Sequence, residues 1–130
     1  PIAPLEVATA SAWLHERLAP VLQLAQSQKI SRMVGAAGAF DTLFSLHSGH
    51  VTPVTLAFVP REEVLHWTRR LLVLSRAERT GLPAMPPLRV DMQVYALLLL
   101  EQLLLALPAV EGITTTSWAL REGKLLELAI

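Results

Sequence analysis

The stretch from residue 86 to residue 108, PPLRVDMQVYALLLLEQLLLALP, constrains the fold of this chain more than any other. Pro87 suits the first turn of a helix and a later proline stops it, so the sequence predicts one helix of roughly twenty residues, about 30 Å long. From residue 94 to residue 107 nearly every position is apolar, and only Glu101 and Gln102 interrupt the run. A helix that is apolar on most sides must be covered by other protein. We therefore expect this helix to be the core of the fold.

The beginning of this predicted helix carries charge. Arg89 and Asp91 lie in its first turn, where the positive end of the helix dipole and the free backbone N–H groups are found. We therefore treat this end as a candidate site. The apolar run itself is about fourteen residues long, shorter than the ~20 that a membrane crossing needs, so a buried helix is favoured over a membrane span.

Composition sets the class of protein. The chain has 130 residues, of which 52% are hydrophobic, so it predicts one domain with a sizeable core. Eleven basic and eleven acidic residues cancel, which argues against nucleic acid or an anionic membrane as a partner. There are no cysteines, so disulfides and thiolate sites are excluded and a cytoplasmic location is expected. Between residues 61 and 89, however, six arginines face only three acids, a local surplus that would suit a polyanion.

A glycine turn is the second candidate site. Residues 29–34 predict a strand, Gly35 and Gly38 bracket a turn of small residues, and residues 39–46 return to helical spacing. Such a turn points consecutive N–H groups outward and allows a phosphate to approach the main chain. Two glycines at this spacing also occur wherever a strand turns tightly onto a helix, so the pattern alone leaves both interpretations open.

The remaining elements follow from spacing and turn signals. Residues 30–34 and 113–118 are expected to form a parallel pair covered by helices. The other predictions are an amphipathic helix over residues 4–28 that either kinks at Pro20 or divides near it, an edge strand or extended connection over residues 51–59, a helix beginning at Pro60, a short helix with a capping box at Ser75 and a terminal helix over residues 119–130. His47 and His50 lie three apart, but no third ligand stands nearby in the sequence, so no metal site is predicted.

Four segments in this order carry a family resemblance: VGAAGAFDTL at 34–43, LSRAERTGLPAMPPLRVDM at 74–92, the apolar helix, and ITTTSWALREG at 113–123. The order resembles the C-terminal part of the exopolyphosphatase and guanosine pentaphosphate phosphohydrolase family, which belongs to the actin-like superfamily. The resemblance covers residues 29–130. It implies a helix-rich α/β fold, namely part of a ribonuclease-H-like lobe with a small, mostly parallel sheet covered by helices.

The resemblance also implies a function. The family removes terminal phosphate from inorganic polyphosphate or guanosine pentaphosphate, with a divalent cation such as magnesium, at a site between two lobes. On this resemblance Arg89 matches an arginine that would contact substrate phosphate, Asp91 matches the acid that follows it, and Gly35 and Gly38 match the glycine turn of the second lobe. The family turn often carries hydroxyl residues where this chain has alanines.

The family's first lobe, with its catalytic carboxylate, has no counterpart in this sequence. We therefore expect residues 1–130 to be one C-terminal lobe of a larger two-lobe protein, with no catalytic residue of its own and no activity in isolation. The exposed sheet edge of such a lobe would favour a homo-oligomer. Two other functions remain open: a non-catalytic module that binds a partner or itself through apolar surface, and a nucleotide-binding actin-like fragment.

Overall fold

A computed structural model describes residues 1–51 and 55–129 of the chain. Helices dominate, and three short strands form a single sheet. In chain order the elements are α1 (Pro4–Ser27), β1 (Met33–Ala36), α2 (Gly38–Ser48), β2 (Ala57–Pro60), α3 (Arg61–Val73), α4 (Arg76–Thr80), a 3-10 turn (Pro87–Arg89), α5 (Met92–Ala106), β3 (Gly112–Thr116) and α6 (Leu120–Ala129). The predicted helix-rich α/β class is confirmed.

Helix α5 is the central element, as predicted. It packs against both α1 and α3. The apolar side chains that it buries are Val94, Leu97, Leu98, Leu100 and Leu104. Within the described residues, no helix is both long enough and apolar enough to span a bilayer.

The start of this helix differs from the prediction. The α-helix begins at Met92, and residues 87–89 form a separate 3-10 turn closed by the Arg89 N–H and the Pro86 carbonyl, 2.9 Å apart. Pro86 is extended, with ψ of 134°, because a residue before proline is pushed away from helical geometry. Val90 then enters the core with 1% of its surface exposed, so the chain turns there before α5 begins.

The sheet has the order β1-β3-β2. Strands β1 and β3 are parallel, with Met33 opposite Ile113, which confirms the predicted pair although β1 starts three residues later than expected. Strand β2 adds to the other side of β3 in the antiparallel direction, with Ala57 opposite Thr115, so the sheet is mixed rather than mostly parallel. The edge position of β2 agrees with the prediction for residues 51–59, whereas Pro53 lies outside the described residues.

The two faces of the sheet differ. Val59 and Ile113 are fully buried beneath the helices, whereas Val34 is 66% exposed and Phe58 is 53% exposed on the opposite face. Gly112 is needed at this point, because a Cβ atom there would overlap the Val59 carbonyl and the Phe58 ring. One apolar face of the sheet is therefore open.

Several local predictions are confirmed. Gly49 ends α2 in the left-handed conformation, with φ of 73°. Helix α1 is one helix through Pro20, so the division that was one of the two expectations there does not occur. Ser75 and Glu78 form the predicted capping box, in which the Ser75 N–H donates to Glu78 Oε2 at 2.7 Å. These features depend on local chemistry, which is why the sequence predicts them well.

Two arginines of the surplus, Arg61 and Arg79, are used inside the fold. Buried Arg79 donates to the carbonyls of Leu71 and Leu74, each at 3.2 Å, at the end of α3. Arg61 donates to the Leu107 carbonyl at 3.3 Å and to the Val110 carbonyl at 3.2 Å, just after α5. Cations at these positions satisfy carbonyls that a helix end leaves free. The surplus therefore does not form one polyanion-binding surface.

The half-buried carboxyl of Glu101 gives a test of how tightly α5 is covered. Burial raises the pKa of Glu101 above its ordinary value of 4.5, and the nearby Arg69 opposes that shift only partly. A raised pKa means that the folded state is favoured below pH 4.5 and loses stability as pH rises through the folded-state pKa. We expect Glu101→Gln to raise the midpoint of thermal unfolding at pH 7 and to leave it unchanged at pH 4. Glu16→Gln, at an exposed position, is the control. If both variants change the midpoint equally at pH 7, burial does not raise the pKa of Glu101.

Candidate functional site

The predicted glycine turn lies where β1 leads into α2. Ala37 has a φ of 77°, an unusual value for a residue with a side chain, and α2 begins at the next residue. The N–H groups of Phe40 and Asp41 both donate to the Ala37 carbonyl, at 3.0 and 3.3 Å. The earlier N–H groups of Gly38 and Ala39 lie at the helix N-terminus, where an α-helix supplies no internal acceptor. The turn therefore presents main-chain donors at the positive end of α2.

Arg89 contacts this turn directly. Its Nη1 atom donates to the Gly38 carbonyl and, at 3.1 Å, to Thr42 Oγ1, while Thr42 Oγ1 donates to the same carbonyl at 3.0 Å. A Cβ atom at Gly38 would overlap the Arg89 guanidinium. Gly38 is therefore the residue that allows this arginine to lie against the backbone.

The charge of Arg89 has no acidic partner in the part of the chain that the structure describes. Two acids close to Arg89 in the sequence are engaged elsewhere, because Asp91 pairs with Arg76 and Glu78 belongs to the capping box. Arg89 is half-buried, and its Nε and Nη2 atoms make no hydrogen bond within the described residues. A cation held by neutral oxygens alone is suited to binding an anion.

The other two predicted site residues are placed differently. Asp91 accepts from Arg76 Nε at 3.0 Å and lies 3.7 Å from Arg79 Nη2, so its carboxylate links α4 to the start of α5. Gly35 lies within β1, where a Cβ atom would overlap the Phe40 ring. The structure thus brings together Arg89 and Gly38. Asp91 forms ion pairs with two arginines, and Gly35 packs against the Phe40 ring.

Two polar side chains near the turn were missed by the sequence analysis. Thr42 is 2% exposed and binds Arg89, and Gln93 is 1% exposed and donates from Nε2 to the Ala39 carbonyl at 3.0 Å. The sequence carries an indication for each of these two residues. Thr42 lies one helical turn after Gly38, and Gln93 is a polar residue at the start of an apolar helix, but pairing them with the turn required the tertiary structure.

The histidines form no metal centre within the described residues. His47 Nδ1 lies 3.3 Å from Glu63 Oε2, a contact between the end of α2 and the beginning of α3. Nowhere in residues 1–51 and 55–129 do three side chains of histidine, aspartate or glutamate come together in a metal-binding group.

Comparison with known proteins identifies exopolyphosphatases among the relatives of this chain. Exopolyphosphatase 2 of Mycobacterium tuberculosis is 28% identical to this chain over 131 residues, which cover 95% of the chain and 41% of that relative. The chain thus spans about two fifths of the length of the curated relatives that it matches.

Solved structures share the fold. An exopolyphosphatase from Cytophaga hutchinsonii matches 98% of the chain and 43% of its own length, with a TM-score of 0.85 and 24% identity. The Ppx/GppA family member from Aquifex aeolicus matches 98% of the chain and 41% of its own length, with a TM-score of 0.81 and 17% identity. The model of the Ppx/GppA phosphatase family matches residues 1–129. The family resemblance seen in the sequence is confirmed, and the chain belongs to the Ppx/GppA phosphatase family.

Proposed function

We propose that this chain is the C-terminal lobe of a phosphohydrolase that releases terminal phosphate from inorganic polyphosphate or guanosine pentaphosphate. The observation that carries the proposal is the contact of Arg89 with Gly38 at the N-terminus of α2, by a cation that pairs with no acid among residues 1–51 and 55–129. The similarity to exopolyphosphatases over 95% of the chain supports the same class of reaction.

The chemistry of the turn suits a phosphate group. The Nη1 atom of Arg89 is held by two neutral oxygens, which leaves Nε and Nη2 for a pair of phosphate oxygens. The N–H groups of Gly38 and Ala39 add main-chain donors, and the dipole of α2 favours negative charge at the same end. Thr42 keeps the guanidinium in place, so the fork is oriented before the phosphate arrives.

In the complete protein, water would attack the terminal phosphorus while the bond to the bridging oxygen breaks. Arg89 would bind substrate phosphate and offset its negative charge, which is a binding role and not that of a general base. We assign no catalytic residue within this chain. The carboxylate that activates water belongs, in this proposal, to the partner lobe of a two-lobe protein, and the isolated chain would therefore be inactive.

Magnesium or another divalent cation is part of the proposal for the complete enzyme only. The described residues do not fit a resident magnesium site built on carboxylates, because no three histidine, aspartate or glutamate side chains come together there. Asp91, the acid nearest to Arg89 in sequence, is paired with two arginines. We therefore assign no cation ligand to this chain.

A second candidate function is self-association or binding of the partner lobe through apolar surface. It is favoured by the open sheet face at Val34 and Phe58 and by α6, whose Leu125 and Leu128 are 62% and 72% exposed. Contiguous exposed apolar patches mark interaction sites in soluble proteins. The same proposal includes a homo-oligomer in the cytoplasm, with no nucleic-acid or membrane partner. Sedimentation over a range of protein concentrations tests the self-association: the apparent mass should rise with concentration, and a constant monomer mass would contradict it.

Arg89→Ala tests the phosphate site. Titration of the chain with medium-length polyphosphate, at two salt concentrations, should give binding that weakens with salt. Loss of charge-assisted hydrogen bonds should weaken binding by about tenfold or more. The exposed Arg121→Ala, in the last helix, is the matched control and should bind as the original chain does. Equal binding by both variants, with both folded, would contradict the role of Arg89.

Gly38→Ala tests the geometry without removing charge. The added Cβ would displace the Arg89 guanidinium from the turn, so polyphosphate binding should fall as it does in Arg89→Ala. Gly123→Ala is the control, because a Cβ at Gly123 meets no atom within 4 Å among the described residues. If Gly38→Ala binds polyphosphate normally, the contact between Arg89 and the turn does not set affinity.

A further inference from the structure

Gln93 is an unusual residue for its position. It lies in the first turn of α5, and 1% of its surface is exposed. The other buried side chains of α5 are apolar: Val94, Leu97, Leu98, Leu100 and Leu104. Its Nε2 atom donates to the Ala39 carbonyl at 3.0 Å, and within the described residues its buried Oε1 atom has no hydrogen-bond partner. An apolar side chain of the same size would avoid that cost, so the packing of α5 alone does not explain a glutamine.

The partner of Gln93 gives the explanation. Arg89 donates to the carbonyl of Gly38, and Gln93 donates to the next carbonyl along the chain, that of Ala39. The donors lie four residues apart, Arg89 in the 3-10 turn that precedes α5 and Gln93 in the first turn of α5. Both acceptors lie in the first turn of α2. Because carbonyls and N–H groups point to opposite ends of an α-helix, fixing these two carbonyls also fixes the direction of the N–H groups at the N-terminus.

The two contacts differ in what an anion would do to them. Arg89 is charged, and a bound phosphate would attract its guanidinium and compete with the Gly38 carbonyl. Gln93 is neutral and buried beneath the turn, so a phosphate has little direct pull on it. The bond from Gln93 to Ala39 is therefore the contact that can hold the first turn of α2 while Arg89 engages a ligand.

We propose that Gln93 is a positioning residue, which holds the first turn of α2 so that the N–H groups of Gly38 and Ala39 stay aimed at the phosphate bound by Arg89. This inference rests on the proposed function, because it concerns the same phosphate site. Gln93 itself touches no phosphate in this arrangement.

The test is Gln93→Met, which keeps the length of the side chain and removes its hydrogen bonds. Gln102→Met is the matched control, since it makes the same change on a half-buried position of the same helix. We expect Gln93→Met to melt no lower than the original chain, to speed amide hydrogen exchange across residues 38–43, and to weaken polyphosphate binding. The loss should be about threefold to tenfold, as for one neutral hydrogen bond. Gln102→Met should change neither exchange nor binding.

The outcomes separate this inference from the proposed function. If the original chain binds no polyphosphate, the proposed function fails, while the exchange rates still decide whether Gln93 holds the turn. If Gln93→Met speeds exchange but leaves polyphosphate binding unchanged, Gln93 is purely structural and the proposal is overturned. Unchanged exchange in Gln93→Met would also overturn it. A measurement on the original chain covers the case in which Gln93→Met does not fold. Hydrogen exchange of the Gln93 side-chain N–H groups should stay slow both without and with polyphosphate, because the bond to the Ala39 carbonyl holds in both states. Loss of that protection when polyphosphate binds would overturn the proposal.

Discussion

Burial of α5 is the constraint on which the rest of this structure depends. Five of its apolar side chains are buried, which contributes on the order of 10 kcal/mol before the entropy cost of folding. Because the helix is apolar on most sides, α1 and α3 must both pack against it. Its two ends then have fixed neighbours. The C-terminal end meets Arg61, and the N-terminal end brings Arg89 and Gln93 to the first turn of α2. The candidate site is thus a consequence of how the core is closed.

Charge and geometry come from different residues at this site. Arg89 supplies a cation that no acid neutralises within the described residues, and Gly38 supplies the space that lets it reach the backbone. Thr42 and Gln93 supply hydrogen bonds that fix the guanidinium and the turn. The proposed phosphate site depends on this division, because the chain as a whole has equal numbers of acids and bases. Among the other arginines of the surplus, Arg61 and Arg79 bind carbonyls and Arg76 pairs with Asp91.

The sequence predicts best what depends on neighbours along the chain. The capping box at Ser75, the end of α2 at Gly49 and the apolar stretch of α5 were all visible as local patterns. The true start of α5 was not, because it depends on Val90 entering the core. The antiparallel addition of β2 also escaped prediction, since strand pairing is set by distant residues. For the site, the resemblance indicated Arg89 and Gly38, whereas Thr42 and Gln93 acquire their roles only through contacts about fifty residues away in sequence.

If Arg89 and the first turn of α2 together bind a phosphate group, crystals of the chain soaked with tungstate should show it. Tungstate is an electron-dense phosphate analogue with an anomalous signal. We expect an anomalous peak within hydrogen-bonding distance of Arg89 Nη2 and of the N–H groups of Gly38 and Ala39, absent in Arg89→Ala crystals. Tungstate bound only at other arginines, with the Arg89 contacts to Gly38 and Thr42 unchanged, would show that this turn is not a phosphate site.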